Sequence, residues 1–441
     1  MMFVVALVIA VLLPAWASMV IVVPTMMALS FTGTLLPLQS TGGSDIQAYD
    51  VVTLVAAFKL ASAVLLRGGA LVAHRVQAVL LLFLGVVTAA TALAAFRFGT
   101  AFFRAELTPL LRFLMQAVTL TLFLPQGLHE REFPMLRRSL DALGYVMAVP
   151  IFVGILFLGT GFDVGEVHGA RTFGFVGDQV GFVLVLYVLW HLIARNYLRA
   201  TFFALAILAT GTRGALLAVL VGVVVTAIQR RRLGGHRVRL RTVVGVPIVL
   251  AVVLFTTDIG GSRTRLTGRA VGRGSNVQQR LLTQRIGVEV FMESPLVGVG
   301  YTGYRMRAIE KGAVQRFVRE LGRYAPVYTT NASNQLLQTA VDAGVVGVAA
   351  LCLLFLELLR AFRAAAGKAD PATGALLHAA YFWLLALIVG NQGAAWMLPG
   401  SFISYLQWTC AAVAIVALHA RRAPAEAAPP PPAALEPAGV G

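Results

Sequence analysis

Apolar runs long enough to cross a lipid bilayer dominate this sequence. A membrane-spanning helix needs about 20 mostly apolar residues, and the chain is 58% hydrophobic and only 12% charged. Because lipid cannot satisfy backbone polar groups, such runs must fold as helices. The sequence therefore predicts an all-α, polytopic membrane bundle. We expect about twelve spans of this kind, near 3–23, 51–66, 77–96, 108–125, 140–159, 175–193, 197–211, 213–228, 243–256, 335–359, 375–391 and 402–419.

The short basic connections between these spans predict the orientation of the bundle. Lys and Arg concentrate in the connections near 67–75, 129–138, 195–199, 229–241, 360–368 and 421–422. All of these fall on one side, which the positive-inside rule makes cytoplasmic. An even number of spans then places both termini in the cytoplasm. This gives four parts: an N-terminal transmembrane bundle at 1–256, an extracytoplasmic loop at 257–334, C-terminal spans at 335–422 and a Pro-rich, disordered tail at 423–441.

The long loop at 257–334 is the exception to the charge rule. It holds twelve Lys and Arg and five Asp and Glu, a net charge of +7. Long loops are translocated largely regardless of charge, so the predicted orientation stands. A basic outer loop suits membrane lipid headgroups or a polyanionic substrate, and nucleic acid is not an expected partner.

Two helical segments are predicted inside this loop. Residues 278–294 show an apolar stripe at helical spacing, formed by Leu281, Leu282, Ile286, Val290 and Phe291. Ser294-Pro295 should end this helix. A second amphipathic stretch, 303–323, is expected to lie along the membrane surface. Arg280 and Arg285 are five residues apart, about 140° around a helix, so both cannot point fully at one ligand.

Three arginines fall at the outer ends of predicted spans. They are Arg171, Arg213 and Arg280. A charged side chain near hydrocarbon is costly and usually marks a functional pathway. The guanidinium fork matches phosphate oxygens bidentately, so several such groups around one pocket favour a phosphorylated ligand. The chain is therefore interpreted as an anion-binding membrane enzyme.

The segment from about 171 to 350 resembles the core of the O-antigen ligase and polymerase family. The matching motifs, in chain order, are Arg171-Thr-Phe-Gly174 with Asp178-Gln179, Thr210-Gly-Thr-Arg213-Gly-Ala, Arg280 with Glu293-Ser-Pro295-Leu-Val-Gly298-Val-Gly300, and Asn334-Gln-Leu-Leu337-Gln338 with Asp342-Ala-Gly344. Their order and spacing carry the resemblance, which covers roughly 180 of the 441 residues.

The resemblance implies a GT-C-like, metal-independent glycosyltransferase without a cofactor, located in the bacterial cytoplasmic (inner) membrane. Its donor would be an undecaprenyl-diphosphate-linked glycan and its acceptor a saccharide or lipid A-core, with the active site facing the periplasm. A chain-length regulator protein is a possible partner of such an enzyme. By motif, Arg171, Arg213 and Arg280 would clamp the diphosphate and stabilise the charge of the leaving group, and Arg285 is an additional candidate.

The acceptor side departs from the family pattern. The family's histidine aligns with Ser333, which cannot act as a base near neutral pH without another group to activate it. Asn334 and Asp342 are further acceptor-side candidates. The substitutes considered for the base are His168, Asp178 and Asp342, and a reaction led by departure of the diphosphate would need no strong base. Catalytic roles are accordingly predicted for Arg213, Arg280, Asp178 and His168.

Two other classes of protein fit parts of the sequence. A polysaccharide-lipid transporter or flippase would also carry intramembrane charge, but the halves show no inverted repeat and the charges lie on one outer face. A membrane scaffold without chemistry would not explain why the three arginines lie at the outer ends of spans. Within the enzyme class, ligase and polymerase share the donor and differ in the acceptor. Ser333 in place of the histidine favours the polymerase.

Overall fold

A computed structural model gives the fold for most of the chain. It describes residues 2–31, 39–41, 44–46, 48–66, 74–158, 177–210, 213–232, 276–322, 331–390 and 401–419, and all structural statements concern these ranges. The predicted span 243–256 and the predicted tail 423–441 lie outside them.

The N-terminal part is a succession of helices with one small hairpin. It contains α1 (Met2–Leu12), α2 (Ala15–Ala17), a π-helical turn (Ser18–Val22), α3 (Val23–Phe31), β1 (Gln39–Thr41), β2 (Ser44–Ile46), α4 (Ala48–Leu66), α5 (Arg75–Phe98), α6 (Thr100–Val118), a second π-helical turn (Thr119–Phe123), α7 (Leu124–Gly127), a 3₁₀ turn (Glu130–Glu132), α8 (Phe133–Leu158), α9 (Gly177–Ile193), α10 (Tyr197–Thr210) and α11 (Arg213–Arg232). Strands β1 and β2 pair antiparallel, with Ser40 opposite Asp45. This hairpin is the exception to the predicted all-α class in the described residues.

The C-terminal part adds six helices. These are α12 (Asn276–Phe291), α13 (Tyr304–Glu310), α14 (Ala313–Leu321), α15 (Gln335–Ala366), α16 (Pro371–Gly390) and α17 (Phe402–His419). Helix α17 is the centre of the bundle, because its side chains from Phe402 to Leu418 are all buried. The Tyr405 hydroxyl donates a hydrogen bond to the Met19 carbonyl in the first π-helical turn.

The composition and length of these helices make the chain a multi-pass membrane protein. In the described part, six helical segments are long and apolar enough to cross a membrane: Tyr49–Leu66, Arg75–Phe98, Leu107–Gly127, Gln335–Ala366, Pro371–Val389 and Phe402–His419. Four shorter apolar segments accompany them: Ala15–Met27, Val180–Ile193, Tyr197–Thr210 and Gly214–Thr226. The predicted span 140–159 overlaps α8. The total of twelve spans stays a prediction.

The first predicted span, 3–23, is broken rather than continuous. Helix α1 ends at Leu12, and the chain re-enters a helix after Pro14, which cannot donate the backbone hydrogen bond of a helix interior. Lys59 of α4 donates to the carbonyls of Ala10, Val11 and Leu13 at 3.1, 2.8 and 2.6 Å. A cation at a helix C-terminus is favourable, so this intramembrane charge is paired with backbone. This role of Lys59 was not predicted from the sequence.

A second apolar cluster lies outside the main bundle core and holds α12, α13 and α14 together. It contains Leu282, Ile286 and Val290 of α12, with Tyr304, Ala308, Ala313, Phe317 and Leu321 of the other two helices. The predicted helix 278–294 is confirmed as α12. Leu281, which the sequence grouped with the apolar stripe, is 52% exposed. It lies about 100° around the helix from Leu282, and the fully buried line is Leu282, Ile286 and Val290.

The predicted amphipathic stretch 303–323 is two short helices rather than one. The buried side of α14 is formed by Ala313, Phe317 and Leu321, and these side chains pack in the same cluster as α12. This apolar face is therefore covered by protein, and the location of the stretch along the membrane surface stays a prediction.

Candidate functional site

The starts of α9 and α11 lie side by side. Helix α9 begins at Gly177 and α11 at Arg213, so Asp178 and Arg213 both belong to first helical turns. A Cβ on Gly214 would come within 2.7 Å of the Phe182 ring, and one on Gly222 within 2.8 Å of Leu189. These two contacts run in the same direction along both helices, so α9 and α11 are parallel and start at the same end. The structure thus brings together the two segments that carry Asp178 and Arg213. His168 and Arg171 lie outside the described residues.

Helix α12 separates its two arginines, as the sequence predicted. Arg285 lies on the exposed side of the helix, and Arg280 is about 140° away from it and partly buried. Gly287, seven residues after Arg280, shares its side of the helix, and its Cα packs close to Ala332 and Leu337. Arg280 therefore lies on the side of α12 that faces the start of α15, whereas Arg285 lies on the outer side.

An open groove of about 630 Å³ runs between α12 and the start of α15. Its walls are Leu281, Gln284, Arg285, Val288 and Glu289 from α12, and Asn334, Leu336 and Leu337 from the other side. The predicted residues Arg285 and Asn334 are thus brought to one site. The groove is also lined by the Gln284 amide and four apolar side chains. None of these was predicted as a site residue.

Among the described residues that line this groove, Arg285 is the cation that is not held in an ion pair. Glu289 accepts two hydrogen bonds from Arg316 of α14, at 2.7 and 2.8 Å. This hydrogen bonding raises the pKa of Arg316. Arg285 is exposed and has no hydrogen bond or ion pair to any other described residue. With Glu289 neutralised by Arg316, the groove presents a net positive charge to an incoming ligand.

Residues Asn331 to Asn334 form a tight turn at the end of the groove. The Ser333 N–H donates to Asn331 Oδ1 at 2.8 Å, and Asn334 Oδ1 accepts from the Leu337 N–H at 3.0 Å, which caps α15. Ser333 has a φ of 55°, in the left-handed region that few residue types other than glycine adopt. Asparagine, aspartate and histidine are the types most enriched there, so the backbone at this position also suits the histidine that the family motif carries.

Asp342 is buried and belongs to a hydrogen-bonded chain that leads back to this turn. Gln338 Nε2 donates to Asp342 Oδ1 at 2.8 Å, and Gln338 Oε1 accepts from the Ala332 N–H at 2.7 Å. Gln335, Gln338, Thr339 and Asp342 are all buried and share one side of α15 by their spacing. Gln338 was not predicted as a site residue. The sequence feature that could have identified it is the occurrence of four polar residues at this spacing within an apolar span.

The Pro-Leu-Val-Gly-Val-Gly motif is joined to a break in α15. Gly344 has φ 66° and ψ −166°, which interrupts the helix. The Val345 N–H, which an unbroken helix would direct to Val341, donates to the Pro295 carbonyl at 2.8 Å. The freed carbonyls of Val341 and Asp342 accept from the Val299 and Gly300 N–H groups at 2.8 and 2.9 Å. Three backbone groups at the break, the Val345 N–H and the carbonyls of Val341 and Asp342, therefore find their partners in the motif.

Two glycines make this close approach possible. A Cβ on Gly344 would lie 2.1 Å from the Leu296 carbonyl oxygen, and a Cβ on Gly298 would lie 2.4 Å from backbone atoms of Asp342 and Ala343. Gly298 and Gly344 also have positive φ values. The glycines of this motif allow close backbone packing, and the break at Gly344 was not predicted from the sequence.

A charged cluster at the end of α12 fixes the outer helices to the bundle. Glu293 accepts from Arg307 at 2.7 Å and is paired with Lys311 at 2.7 Å. The Arg307 guanidinium also lies 4.6 Å from the centre of the Phe98 ring at the end of α5. Partial burial by itself would raise the pKa of the Glu293 carboxyl, but the hydrogen bonds and charges of Lys311 and Arg307 outweigh it. The net effect is a lowered pKa.

Two further predictions about the site concern a metal ion and the convergence of three arginines on one ligand. Among the described residues, no group of three His, Cys, Asp or Glu side chains is arranged to hold a metal ion. Metal independence itself stays a prediction. Convergence of Arg171, Arg213 and Arg280 on one diphosphate also stays a prediction, since Arg171 lies outside the described residues.

One comparison with known proteins gives a match. A family model described as O-antigen ligase matches residues 198–352. This range begins in α10 and extends past the break at Gly344, so it includes Arg213, both α12 arginines and the turn at Ser333. No curated protein matches the chain.

Proposed function

We propose, from the match of residues 198–352 to the O-antigen ligase family model, that the chain is an enzyme of the O-antigen ligase and polymerase family. In this proposal it transfers a glycan from an undecaprenyl-diphosphate donor to a saccharide acceptor. The reaction would take place at the extracytoplasmic face of the bacterial cytoplasmic membrane. The family match and the apolar helices support the general part of this proposal. That part is an enzyme of the ligase and polymerase class in a multi-pass membrane protein.

The open groove at the start of α15 is the observation that carries the proposal. Within the matched region it places the exposed Arg285 opposite Asn334, directly beside Ser333. A cation and a polar turn at the end of a membrane span suit a substrate with a charged head, a lipid chain and a sugar. This arrangement supports transfer at the membrane surface rather than transport through the midplane.

In the proposed reaction, the acceptor hydroxyl oxygen bonds to the anomeric carbon as the bond from that carbon to the diphosphate oxygen breaks. The hydroxyl proton leaves the acceptor, and undecaprenyl diphosphate is released. Negative charge develops on the diphosphate, and positioned guanidinium groups stabilise it. We assign this role to Arg171, Arg213 and Arg280.

The reaction also needs a group that accepts the hydroxyl proton. Ser333 occupies the position of the family's histidine, and His168 and Asp178 remain candidates for the base. Asp342 is buried and bonded to Gln338, a setting that suits a structural role. If diphosphate departure leads the reaction, water accepts the proton after bond cleavage and no strong base is needed.

Between the two family activities we propose the polymerase, with another lipid-linked repeat as acceptor. The basis is Ser333 in place of the family's histidine. Ligation of the glycan to lipid A-core is the alternative. A chain-length regulator protein would be a partner of the polymerase.

Complementation of a bacterial strain that lacks its surface-polysaccharide polymerase tests the proposal, with a host whose repeat unit the enzyme accepts. We expect wild type to restore a glycan ladder and Arg213→Ala to abolish it at equal membrane expression. Ser333→Gly removes the hydroxyl while keeping the backbone conformation, and the exposed Arg319→Ala is the control for loss of a positive charge. A ladder that persists in Arg213→Ala would contradict the clamp. Accumulation of lipid-linked repeats only on the cytoplasmic side would instead favour a flippase.

A further inference from the structure

The groove between α12 and the start of α15 has a mixed lining that suits a glycan. The amide and carboxylate side chains of Gln284, Glu289 and Asn334 stand there among leucine and valine side chains. Sugar hydroxyls donate and accept hydrogen bonds, which such polar groups match, and apolar side chains cover the C–H faces of sugar rings. The groove volume of about 630 Å³ lies within the roughly 300–1,000 Å³ that is usual for ligand pockets.

The position of the groove relates it to the acceptor. Asn334 lines the groove and directly follows Ser333, the turn residue at which the acceptor side of the reaction is predicted. Between Leu281 and Glu289 the α12 wall advances eight residues, about 12 Å at the helical rise of 1.5 Å per residue. This length exceeds one pyranose ring, so the groove extends to sugars beyond the one that reacts.

Arg285 is the cation that this groove presents to a ligand. It is exposed and has no hydrogen bond or ion pair to another described residue. Glu289, four residues further along α12, has the spacing for an ion pair with Arg285, but Arg316 of α14 holds its carboxylate with two hydrogen bonds. This pairing leaves the Arg285 guanidinium to a ligand and reduces the repulsion that Glu289 would exert on an anion.

One guanidinium group suits a single carboxylate better than it suits a diphosphate. The two parallel N–H groups of an arginine bind a carboxylate bidentately, whereas a diphosphate carries more charge than one cation balances. In the proposed function the diphosphate of the donor belongs to Arg171, Arg213 and Arg280. Arg280 lies about 140° around α12 from Arg285, so the two arginines of this helix would serve two different anions.

We propose that the groove holds the glycan of the acceptor, and that Arg285 selects acceptors with an acidic sugar by binding the carboxylate of that sugar. The net charge of +7 on the outer loop would attract such a glycan. The proposal rests on the proposed function for the existence of an acceptor. It makes Arg285 a specificity-determining residue that does not touch the reacting atoms.

Matched acceptors that differ only in charge test this assignment. The acceptor is the lipid-linked repeat of the complementation host, used either as isolated or after chemical reduction of its carboxylates to neutral hydroxymethyl groups. Transfer from an isotopically labelled donor is measured with the full-length protein in nanodiscs at increasing acceptor concentration. Binding of the oligosaccharide released from each acceptor is measured on the same nanodiscs by saturation-transfer NMR, so that recognition is observed without turnover.

We expect wild-type kcat/KM to fall at least about tenfold with the neutral acceptor, the effect of losing one charge-assisted contact. The change should lie in KM, and the acidic oligosaccharide should bind more tightly by a similar factor. Arg285→Ala should weaken the acidic acceptor only, while Arg285→Lys should retain part of the preference. Unchanged turnover of the neutral acceptor shows that these variants are folded. The exposed Arg319→Ala is the control for loss of a positive charge and should keep the full preference.

Three results would overturn the proposal. They are an accepted repeat unit that contains no acidic sugar, equal use of the acidic and neutral acceptors by wild type, and an Arg285→Ala variant that keeps the preference or weakens both acceptors equally. Failure of the proposed function gives a different result, because wild type would then transfer glycan to neither acceptor. The binding measurements would in that case decide on the glycan site by themselves, and equal binding of the two oligosaccharides would refute it.

Discussion

Neighbouring residues at the start of α15 have different roles. The Gln338 Nε2 group donates a hydrogen bond to Asp342, and Gln338 Oε1 accepts one from the Ala332 N–H. Ala332 immediately precedes Ser333, so the amide holds the turn in place relative to the helix. Asp342 is the acceptor at the buried end of this chain, which makes Gln338 a positioning residue for the acceptor-side turn.

Substitutions at these two positions should separate structure from chemistry. Gln338→Leu leaves the Ala332 N–H and one Asp342 oxygen without this partner, and we expect a loss of about 2–4 kcal/mol in the free energy of unfolding. Asp342→Asn keeps an oxygen to accept from Gln338, so we expect a change below about 1 kcal/mol and transfer activity within about threefold of wild type. Thermal unfolding in detergent and a transfer assay measure both. A native unfolding temperature with about a hundredfold loss of transfer in Asp342→Asn would identify Asp342 as a general base.

At the scale of elements, the break in α15 and the motif before α13 are one structural unit. The two segments exchange backbone hydrogen bonds across the break. Pro295, Val299 and Gly300 of the motif pair with Val345, Val341 and Asp342 of α15, respectively. This exchange fixes α12 to the start of a membrane span, and the groove lies between these two helices. The geometry of the groove therefore depends on the break.

Gly344→Ala should damage this unit. The added Cβ would meet the Leu296 carbonyl at 2.1 Å, and the positive φ is unfavourable for alanine, so we expect destabilisation of more than about 2 kcal/mol. Gly85→Ala is the matched control, because its Cβ meets nothing within 4 Å in the interior of α5. That change should be neutral or stabilise by up to about 1 kcal/mol. Equal unfolding temperatures for Gly344→Ala and wild type would contradict the packing described here.

The Glu293 cluster should make the attachment of the outer helices sensitive to acid. Its pKa is lower in the folded protein than the ordinary value of 4.5, so the unfolded chain binds the proton first as the pH falls. The stabilisation is therefore complete above about pH 4.5 and is lost as the pH falls through the lowered folded pKa.

Glu293→Gln tests that pH dependence. At pH 7 the variant should be less stable by about 0.5–1 kcal/mol, the usual range for a partly exposed ion pair. The difference should shrink below pH 4.5, where wild type also loses the charge. Unfolding temperatures in detergent across this pH range measure it, with the exposed Glu320→Gln as control. A difference that stays constant into acid would show that the charge of Glu293 contributes nothing.

At the scale of the whole molecule, the orientation of the bundle determines which groups meet the substrate. The parallel starts of α9 and α11 and the start of α15 are predicted to share the extracytoplasmic side. The 3₁₀ turn Glu130–Glu132 is predicted to lie on the opposite, cytoplasmic side.

Cysteine labelling in intact spheroplasts tests this orientation. In a background with Cys352→Ala and Cys410→Ala, we expect a membrane-impermeant maleimide to label Glu310→Cys and not Arg131→Cys, since both native positions are exposed. Permeabilised cells, in which both variants should react, provide the control. Labelling of Arg131→Cys before permeabilisation would reverse the predicted topology.

Much of the helical framework could be predicted from the sequence, because hydrophobic runs and their lengths are local properties. The predicted spans 77–96, 108–125, 197–211 and 402–419 overlap helices in the structure, and 278–294 corresponds to α12. Contacts between distant segments could not be predicted in this way. Which side of α12 is buried depends on α13 and α14, so the apolar stripe alone did not show that Leu281 is exposed. Lys59 gave no local sign of its backbone partners at the end of α1.

The amino-acid sequence by itself determined that this chain forms a membrane bundle of helices, and its motifs located Arg213, Arg280 and Ser333 along the chain. Only the tertiary structure decided that α15 breaks at Gly344, that Gln338 links Asp342 to the turn, and that Arg285 and Asn334 share a groove. The physical reason is that hydrophobicity and helix length act within one segment. Backbone hydrogen bonds that are released at a break, and side chains that are buried in a core, need partners that folding brings from elsewhere in the chain.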